Sequence, residues 1–284
     1  MQNFSANIAA GVDASGSPFS LSSGDMSRSM VYCRPDLRRA FFEKVSSELL
    51  LNGFNVVFMD SEGYSDKIEL INSQKFFEYN IFDFGRNLFI PNFNAVPSDF
   101  FISSCGLGSC DFAPVLKKAF DSCGEKTFQN LFEAADRLKS GACVREDSFL
   151  AARAGRFLSL SGDIYGGYFR PFGSEAFFNS IDFSNSKLIV VNLSKDNVLD
   201  NFLLYHILER LPQDEKLFLI FNSNSDGFFP ALLEKLFSKK FNFLMFSEGE
   251  KKNDNGRFSL EVEEFGGALI ASFGPFKKKF FLKP

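Results

Sequence analysis

The chain has 284 residues, 45% of them apolar, and a net charge of −4 at neutral pH. A chain of this length and apolar content buries a substantial core, which excludes an intrinsically disordered protein. No apolar run reaches the ~18 residues that span a bilayer, and the first residues lack the layout of a signal peptide, so we expect a cytoplasmic protein.

The first part of the chain predicts a β-hairpin followed by a strand, a helix and a second strand. The hairpin is expected over residues 8–12 and 18–21, on either side of a turn. A short apolar run at 30–32 predicts the first strand, and a helical pattern covers 41–51. The continuous apolar run at 54–59 is typical of a buried strand.

Residues 33–40 have the spacing of a phosphate-binding P-loop, G-x-x-x-x-G-K-[ST], without its residues. A P-loop uses glycines to close backbone N–H groups around phosphate, a lysine for charge and a hydroxyl for magnesium. Here the four positions are Cys33, Arg38, Arg39 and Ala40. The pattern predicts a nucleotide-binding scaffold that has lost its phosphate chemistry, although a helix start with two arginines still attracts anions.

Helical periodicity then dominates residues 112–160, after which strands and helices alternate again. We therefore divide the chain into a hairpin with the first half of a core, a helical insertion and the second half of the core, at 1–111, 112–160 and 161–284. The best helices of the insertion are expected at 113–120, 127–138 and 148–158. Later strands are expected at 188–193, 217–221 and 241–246, helices at 198–211 and 230–237, and two short strands within 266–284. This alternation predicts a mostly parallel sheet with a ligand site at the strand ends.

In the order and spacing of these elements the chain resembles the RecA-like motor domain of the HerA/FtsK superfamily, which includes the VirB-type ATPases of type IV secretion and conjugation. Besides the loop, helix and insertion, the resemblance is carried by Gly11-Val12-Asp13, Gly16-Ser17-Pro18, Asp60-Ser61-Glu62-Gly63-Tyr64 and Val191-Asn192-Leu193-Ser194. It implies an α/β, RecA-like P-loop NTPase fold with a mostly parallel central sheet, flanking helices, an N-terminal β-hairpin and an inserted helical subdomain.

The chain departs from that family at its catalytic positions. The Walker B strand should end in Asp-Glu, whereas the strand at 217–221 is followed by Asn222 and Ser223, and an amide cannot act as a carboxylate base. The polar sensor, usually Gln, is missing at 246–248, and Gly63 is followed by Tyr64 without the acidic residue of the family signature. We therefore expect no catalytic residues and no cofactor, and a pseudo-ATPase that is a structural or regulatory subunit of a DNA- or protein-translocation assembly.

The alternative is a divergent but active ATP-driven DNA translocase, helicase or secretion motor. It would bind ATP and magnesium, use Arg39 in place of the lysine, and use Asp226 or Glu248 as the base. Rings of this family also supply arginines in trans, for which the candidates are Arg153, Arg156 and Arg170. A simpler interpretation of these arginines is helix-surface ion pairs and loop anchors.

The resemblance also implies partners. We expect the chain to assemble with itself or with an active paralogous ATPase in an oligomeric ring, and to meet a membrane only through a partner protein. DNA binding is a third interpretation, based on the basic clusters Arg34/Arg38/Arg39 and Lys277-Lys278-Lys279.

Other candidate sites are weaker. Four cysteines are candidates for a zinc site: Cys105, Cys110, Cys123 and Cys143. They lack the paired spacing of zinc knuckles, so we expect reduced thiols and no metal. His206 has no Cys or Asp partner one helical turn away, so we expect it to be a packing or surface residue. Gly106-Leu107-Gly108 is typical of a turn, and Asp60 and Glu62 are either metal ligands or helix caps.

Overall fold

The structure is a computed structural model, and it describes residues 7–13, 18–22, 29–33, 35–63, 79–170, 187–214, 216–222, 232, 236, 238–239, 241–247, 259–265, 268–273 and 278–282. Their strands are β1 (Asn7–Asp13), β2 (Pro18–Ser22), β3 (Ser29–Cys33), β4 (Asn55–Asp60), β5 (Tyr79–Asp83), β6 (Ile90–Pro91), β7 (Phe169–Arg170), β8 (Leu188–Asn192), β9 (Leu217–Asn222), β10 (Asn242–Ser247), β11 (Ser259–Phe265), β12 (Ala268–Phe273) and β13 (Lys278–Leu282). Their helices are α1 (Pro35–Leu51), α2 (Ser98–Ser104), α3 (Ala113–Ser122), α4 (Phe128–Ser140), α5 (Arg145–Tyr165) and α6 (Asn197–Arg210).

Most of the described strands join a single sheet, in the order β2-β1-β13-β12-β11-β3-β10-β9-β4-β8-β5. Every neighbouring pair from β11 to β5 is parallel, and the pairs from β11 to β2 are antiparallel. The predicted N-terminal hairpin is present as β1 and β2, and it extends the sheet because Val12 aligns with Phe281 of β13. The mostly parallel α/β sheet predicted from the sequence is thus confirmed.

The central strands are buried on both faces. The apolar residues of β4, β8 and β9 are each exposed by no more than 2%. Continuous apolar runs of this kind are what a parallel strand covered by helices on both sides requires. Helix α1 supplies part of that cover, since the rings of Phe42 and Phe58 stack with centroids 3.8 Å apart.

Helices α2 to α5 lie between β6 and β7 in the sequence and form a helical lobe. The predictions at 113–120, 127–138 and 148–158 are confirmed as α3, α4 and α5. Helix α2 was not predicted, because a helix of 7 residues is too short to show a clear period. At the base of the lobe β6 and β7 pair in parallel, so the chain enters and leaves the lobe at adjacent points.

One phenylalanine ties the lobe to the sheet layer. The ring of Phe93 lies with its centroid 4.5 to 5.0 Å from rings of α2, α4, β7 and α6, which are Phe101, Phe128, Phe169 and Phe202. Such edge-on and tilted contacts stabilise aromatic clusters beyond the area they bury. The lobe and the core therefore share one continuous apolar interior.

Some elements differ from the sequence prediction. Strands β5 and β11 were not predicted, whereas the two short strands near the C-terminus are present as β12 and β13. The helix predicted at 230–237 lies almost entirely outside the described residues. None of the described helices combines the length and apolar character needed to cross a bilayer.

Candidate functional site at the carboxyl edge of the sheet

Four polar side chains end neighbouring parallel strands. In the order of the sheet they are Asn222 of β9, Asp60 of β4, Asn192 of β8 and Asp83 of β5, and each is aligned with the next across the ladder. The Asn222 amide nitrogen donates to Asp60 Oδ1 at 2.9 Å, and the Asn192 amide donates to Asp83 Oδ1 at 2.6 Å. The edge thus consists of two amide–carboxylate pairs.

The pair at Asp60 lies inside the protein. Asp60 and Asn222 are each 1% exposed, and the Asp60 carboxylate also accepts the backbone N–H of Glu62 at 3.0 Å. A buried carboxylate that accepts two hydrogen bonds is well satisfied as an anion. The structure therefore gives Asp60 the Asn222 amide and the Glu62 backbone N–H as partners.

A buried ion pair connects helix α1 to this edge. Arg38 is fully buried, and its Nη1 lies 2.8 Å from Oε1 of Glu62, whose side chain is 19% exposed. Through Glu62 and the Asp60 carboxylate, the start of α1 is linked to the ends of β4 and β9. Arg38 is on the inward face of α1 because it continues the buried series Phe42, Val45 and Leu49 at helical spacing.

The prediction of a loop over residues 33–40 is wrong. Strand β3 ends at Cys33 and α1 already begins at Pro35, so Arg38, Arg39 and Ala40 all lie within the helix. Proline is favoured at the first helical position, and the segment has no glycine to hold a non-helical turn. Consecutive helical residues direct their N–H groups along the helix axis and do not wrap around an anion.

The other predicted residues are scattered. Asn222 ends β9, whereas Ser223, Asp226 and Glu248 lie outside the described residues, as does Lys277. Strand β10 separates β3 from β9, so the ends of the two Walker-type strands are about 10 Å apart at ~4.8 Å per strand. Lys278 and Lys279 are in β13.

The three candidate trans arginines lie in or beside the helical lobe. Arg153 of α5 is ion-paired with Asp111 and lies over the Phe112 ring at 5.3 Å. Arg170 of β7 donates to the backbone oxygen of Gly167 and lies 4.2 Å from the Phe89 ring centroid. Arg156 is an exposed residue of α5. The contacts of Arg153 and Arg170 agree with ion pairs and loop anchors.

The minor candidates have ordinary surroundings. His206 is buried in α6, with its ring edge-on to Tyr205, and residues 106–108 form a turn after α2. Within the described part of the chain, no three His, Cys, Asp or Glu side chains come together as a metal site. Burial raises the pKa of the Cys105 thiol to about 12, which disfavours the thiolate that binds zinc.

A further carboxylate lies just beyond the end of β8. Asp200, in the first turn of α6, accepts both the backbone N–H and the hydroxyl of Ser194 at 2.7 Å. Burial raises the pKa of Asp200 to about 6, and the hydrogen bonds from Ser194 offset only part of that effect. Lys195 beside it has a φ of 67°, in the left-handed region, so the chain turns sharply into α6 here.

The parallel strands, their crossover helices and the buried polar edge define a RecA-like α/β fold. No protein-family model matches the sequence, and no curated protein matches it.

Solved structures of VirB4 and of a conjugative coupling protein share this fold. VirB4 of Thermoanaerobacter pseudethanolicus is 12% identical, with a TM-score of 0.67 over 98% of this chain and 96% of the other. The bacterial conjugative coupling protein TrwB is 14% identical in a trigonal form with sulphate, with a TM-score of 0.55 over 85% of this chain and 68% of TrwB. The unbound monoclinic form of TrwB is also 14% identical, with a TM-score of 0.54 over 85% of this chain and 66% of TrwB. The chain therefore has the fold of VirB4 and TrwB.

Changing Asn222 to aspartate should destabilise the protein. The new carboxylate would lie beside the buried Asp60 carboxylate and would replace the amide donor, at a cost of about 2–4 kcal/mol at pH 8. Urea unfolding at pH 8 and pH 5 measures the free energy, and the loss should be smaller at pH 5, where one of the two carboxyls takes up a proton. Asn80→Asp, at an exposed position of β5, is the control. An unchanged stability at pH 8 would show that Asp60 and Asn222 are not coupled.

Asp200→Asn should stabilise the protein above pH 6. With its pKa raised from 3.8 to about 6, Asp200 favours folding most when protonated, below pH 4, and that contribution is lost as the pH rises through 6. Asparagine keeps the acceptor oxygen and cannot ionise, so the variant should gain up to about 3 kcal/mol at pH 8 and almost nothing at pH 4. Unfolding curves from pH 4 to 8 test this, with Asp121→Asn at an exposed position of α3 as the control. A gain that does not vary with pH would contradict the assignment.

Proposed function

We propose that the protein is a catalytically inactive, VirB-type ATPase-like protein that serves as a structural or regulatory subunit of a DNA- or protein-translocation assembly. It keeps the fold of a motor and does not bind or hydrolyse a nucleoside triphosphate. The observation that carries the proposal is the buried ion pair between Arg38 and Glu62 at the start of α1.

In the P-loop spacing of the sequence Arg38 stands at the second glycine, and in the structure it lies in the first turn of α1. A guanidinium with no solvent exposure reaches a phosphate only if the packing around it opens. Its charge is also directed to Glu62 at 2.8 Å, and an incoming triphosphate would have to compete with that carboxylate.

The end of β9 supports the same conclusion. Hydrolysis requires a carboxylate there to position magnesium and activate water. Asn222 instead uses its amide as a donor to Asp60, and this role requires an amide. Since the described residues start α1 at Pro35, two residues after β3, the backbone that would cradle the phosphates is also missing from this region.

The fold supports the kind of assembly in which we propose that the protein works. VirB4 and the conjugative coupling protein TrwB share it, which supports a place in a conjugation or secretion assembly. A chain that keeps the motor fold can keep the surfaces by which motor subunits pack together. We therefore propose that it assembles with itself or with an active paralogous ATPase in a ring, in the cytoplasm, and that it contacts a membrane only through a partner. DNA is a further proposed ligand.

The purified protein should neither bind magnesium-ATP nor hydrolyse it. We expect no heat of binding in calorimetric titrations that reach ~1 mM nucleotide, where a typical nucleotide enzyme is saturated. Phosphate release should stay at the level of the buffer, and Arg39→Ala should not change it. An active ATPase prepared in the same way is the positive control, and a cooperative unfolding transition shows that the sample is folded. Saturable binding together with turnover that Arg39→Ala abolishes would support the divergent motor instead.

A further inference from the structure

A cavity of about 480 Å³ lies where the helical lobe meets the base of the core. Its walls come from four separate segments: the turn after β6, the start of α4, the C-terminal half of α5, and β7. The volume is within the ~300–1,000 Å³ typical of ligand sites. The cavity shares no lining residue with the polar strand ends, so a ligand bound in it is independent of the proposed function.

The apolar wall of the cavity is aromatic and already packed. Phe93, Phe128 and Phe169 line it, with ring centroids 4.5 to 5.5 Å apart. All three are at least nine-tenths buried, so their positions are fixed by the core behind them. The small part of each ring that remains accessible can contact an apolar side chain without having to reorganise.

Hydrogen-bonding groups that lack a partner among the described residues surround that wall. Asn92 is 6% exposed, lines the cavity, and has no side-chain hydrogen bond within the described residues. At the start of α4, Thr127 Oγ1 accepts the N–H of Asn130. The N–H groups of Phe128 and Gln129 make no hydrogen bond with any described residue. A ligand with carbonyl oxygens would satisfy these donors and gain from the positive end of the helix.

The rim of the cavity carries negative charge. Glu125 and Asp163 line it, are exposed, and form no ion pair within the described residues. Lys126, the nearest cation in sequence, has its ammonium over the ring of Phe120, which is not part of the cavity. The two carboxylates oppose a phosphate or another anion at the helix start and favour a cation at the mouth.

We propose that this cavity binds a peptide segment in which an aromatic residue is followed by lysine or arginine. The aromatic side chain would pack on the phenylalanine wall, a backbone carbonyl would accept from the start of α4, and the basic side chain would face Glu125 and Asp163. An anion lacks the charge for the rim, and a small amine lacks the carbonyls and the apolar group. A peptide supplies all three in one short segment.

The test uses capped hexapeptides, Gly-Gly-Trp-Lys-Gly-Gly and its Trp-Glu counterpart, added to the intact protein. The chain contains no tryptophan, so the indole emission reports on the peptide alone. We expect a saturable shift of the Trp-Lys emission to shorter wavelength and at least about tenfold weaker binding of the Trp-Glu peptide, equivalent to ~1.4 kcal/mol. A Phe-Lys peptide should compete, and an Ala-Lys peptide should not.

Two variants locate the site. Asp163→Lys changes an exposed side chain and should weaken binding of the Trp-Lys peptide at least about fivefold. Asp121→Lys lies outside the cavity and should leave that binding unchanged. Asn92→Leu should also weaken it, with thermal unfolding as the check on folding. Equal binding of the Trp-Lys and Trp-Glu peptides, no saturable shift with either, or equally tight binding of lysine amide alone would each overturn the proposal.

Discussion

The constraint on which the site depends is that a fully buried guanidinium must have a carboxylate beside it. Removing a charge from water costs several kcal/mol unless an opposite charge and hydrogen bonds replace the water. Arg38 meets this condition at Nη1, which lies 2.8 Å from Oε1 of Glu62. Because Glu62 also donates its backbone N–H to Asp60, and Asp60 accepts from Asn222, the ion pair fixes α1 relative to β4 and β9. Packing and electrostatics at this edge therefore depend on each other.

Under the proposed function, this network takes the place of the phosphate site of an active motor. A phosphate site needs open backbone N–H groups, free positive charge and a carboxylate for magnesium. Here the helix starts next to the strand, the Arg38 charge is paired, and the Asp60 carboxylate is occupied by an amide. Arg38, Glu62, Asp60 and Asn222 are linked by hydrogen bonds, so these side chains form one connected unit.

The sequence predicted those parts of the fold that are encoded locally. The strands at 188–193 and 217–221 are continuous apolar runs, and the helices of the lobe show clear amphipathic periods. The predicted start of α1 at residue 41 is wrong, because Pro35 suits the first helical position and the helix already begins there. The helical series Leu49, Val45 and Phe42 leads back to Arg38, and it would have placed that arginine on the buried face. The pairing of Asp60 with Asn222 depends on the register of strands that are 162 residues apart in the sequence. The cavity is built from four separate segments. Neither feature therefore has a local signal in the sequence.

The central claim, that a motor fold survives here with its phosphate site closed by Arg38 and Glu62, is tested most directly by a crystal structure determined with excess magnesium and ATP. The account predicts that the Arg38 guanidinium remains on Glu62 and that no triphosphate density appears at the start of α1. A triphosphate held there, with Arg38 turned towards it and magnesium beside Asn222, would contradict the account.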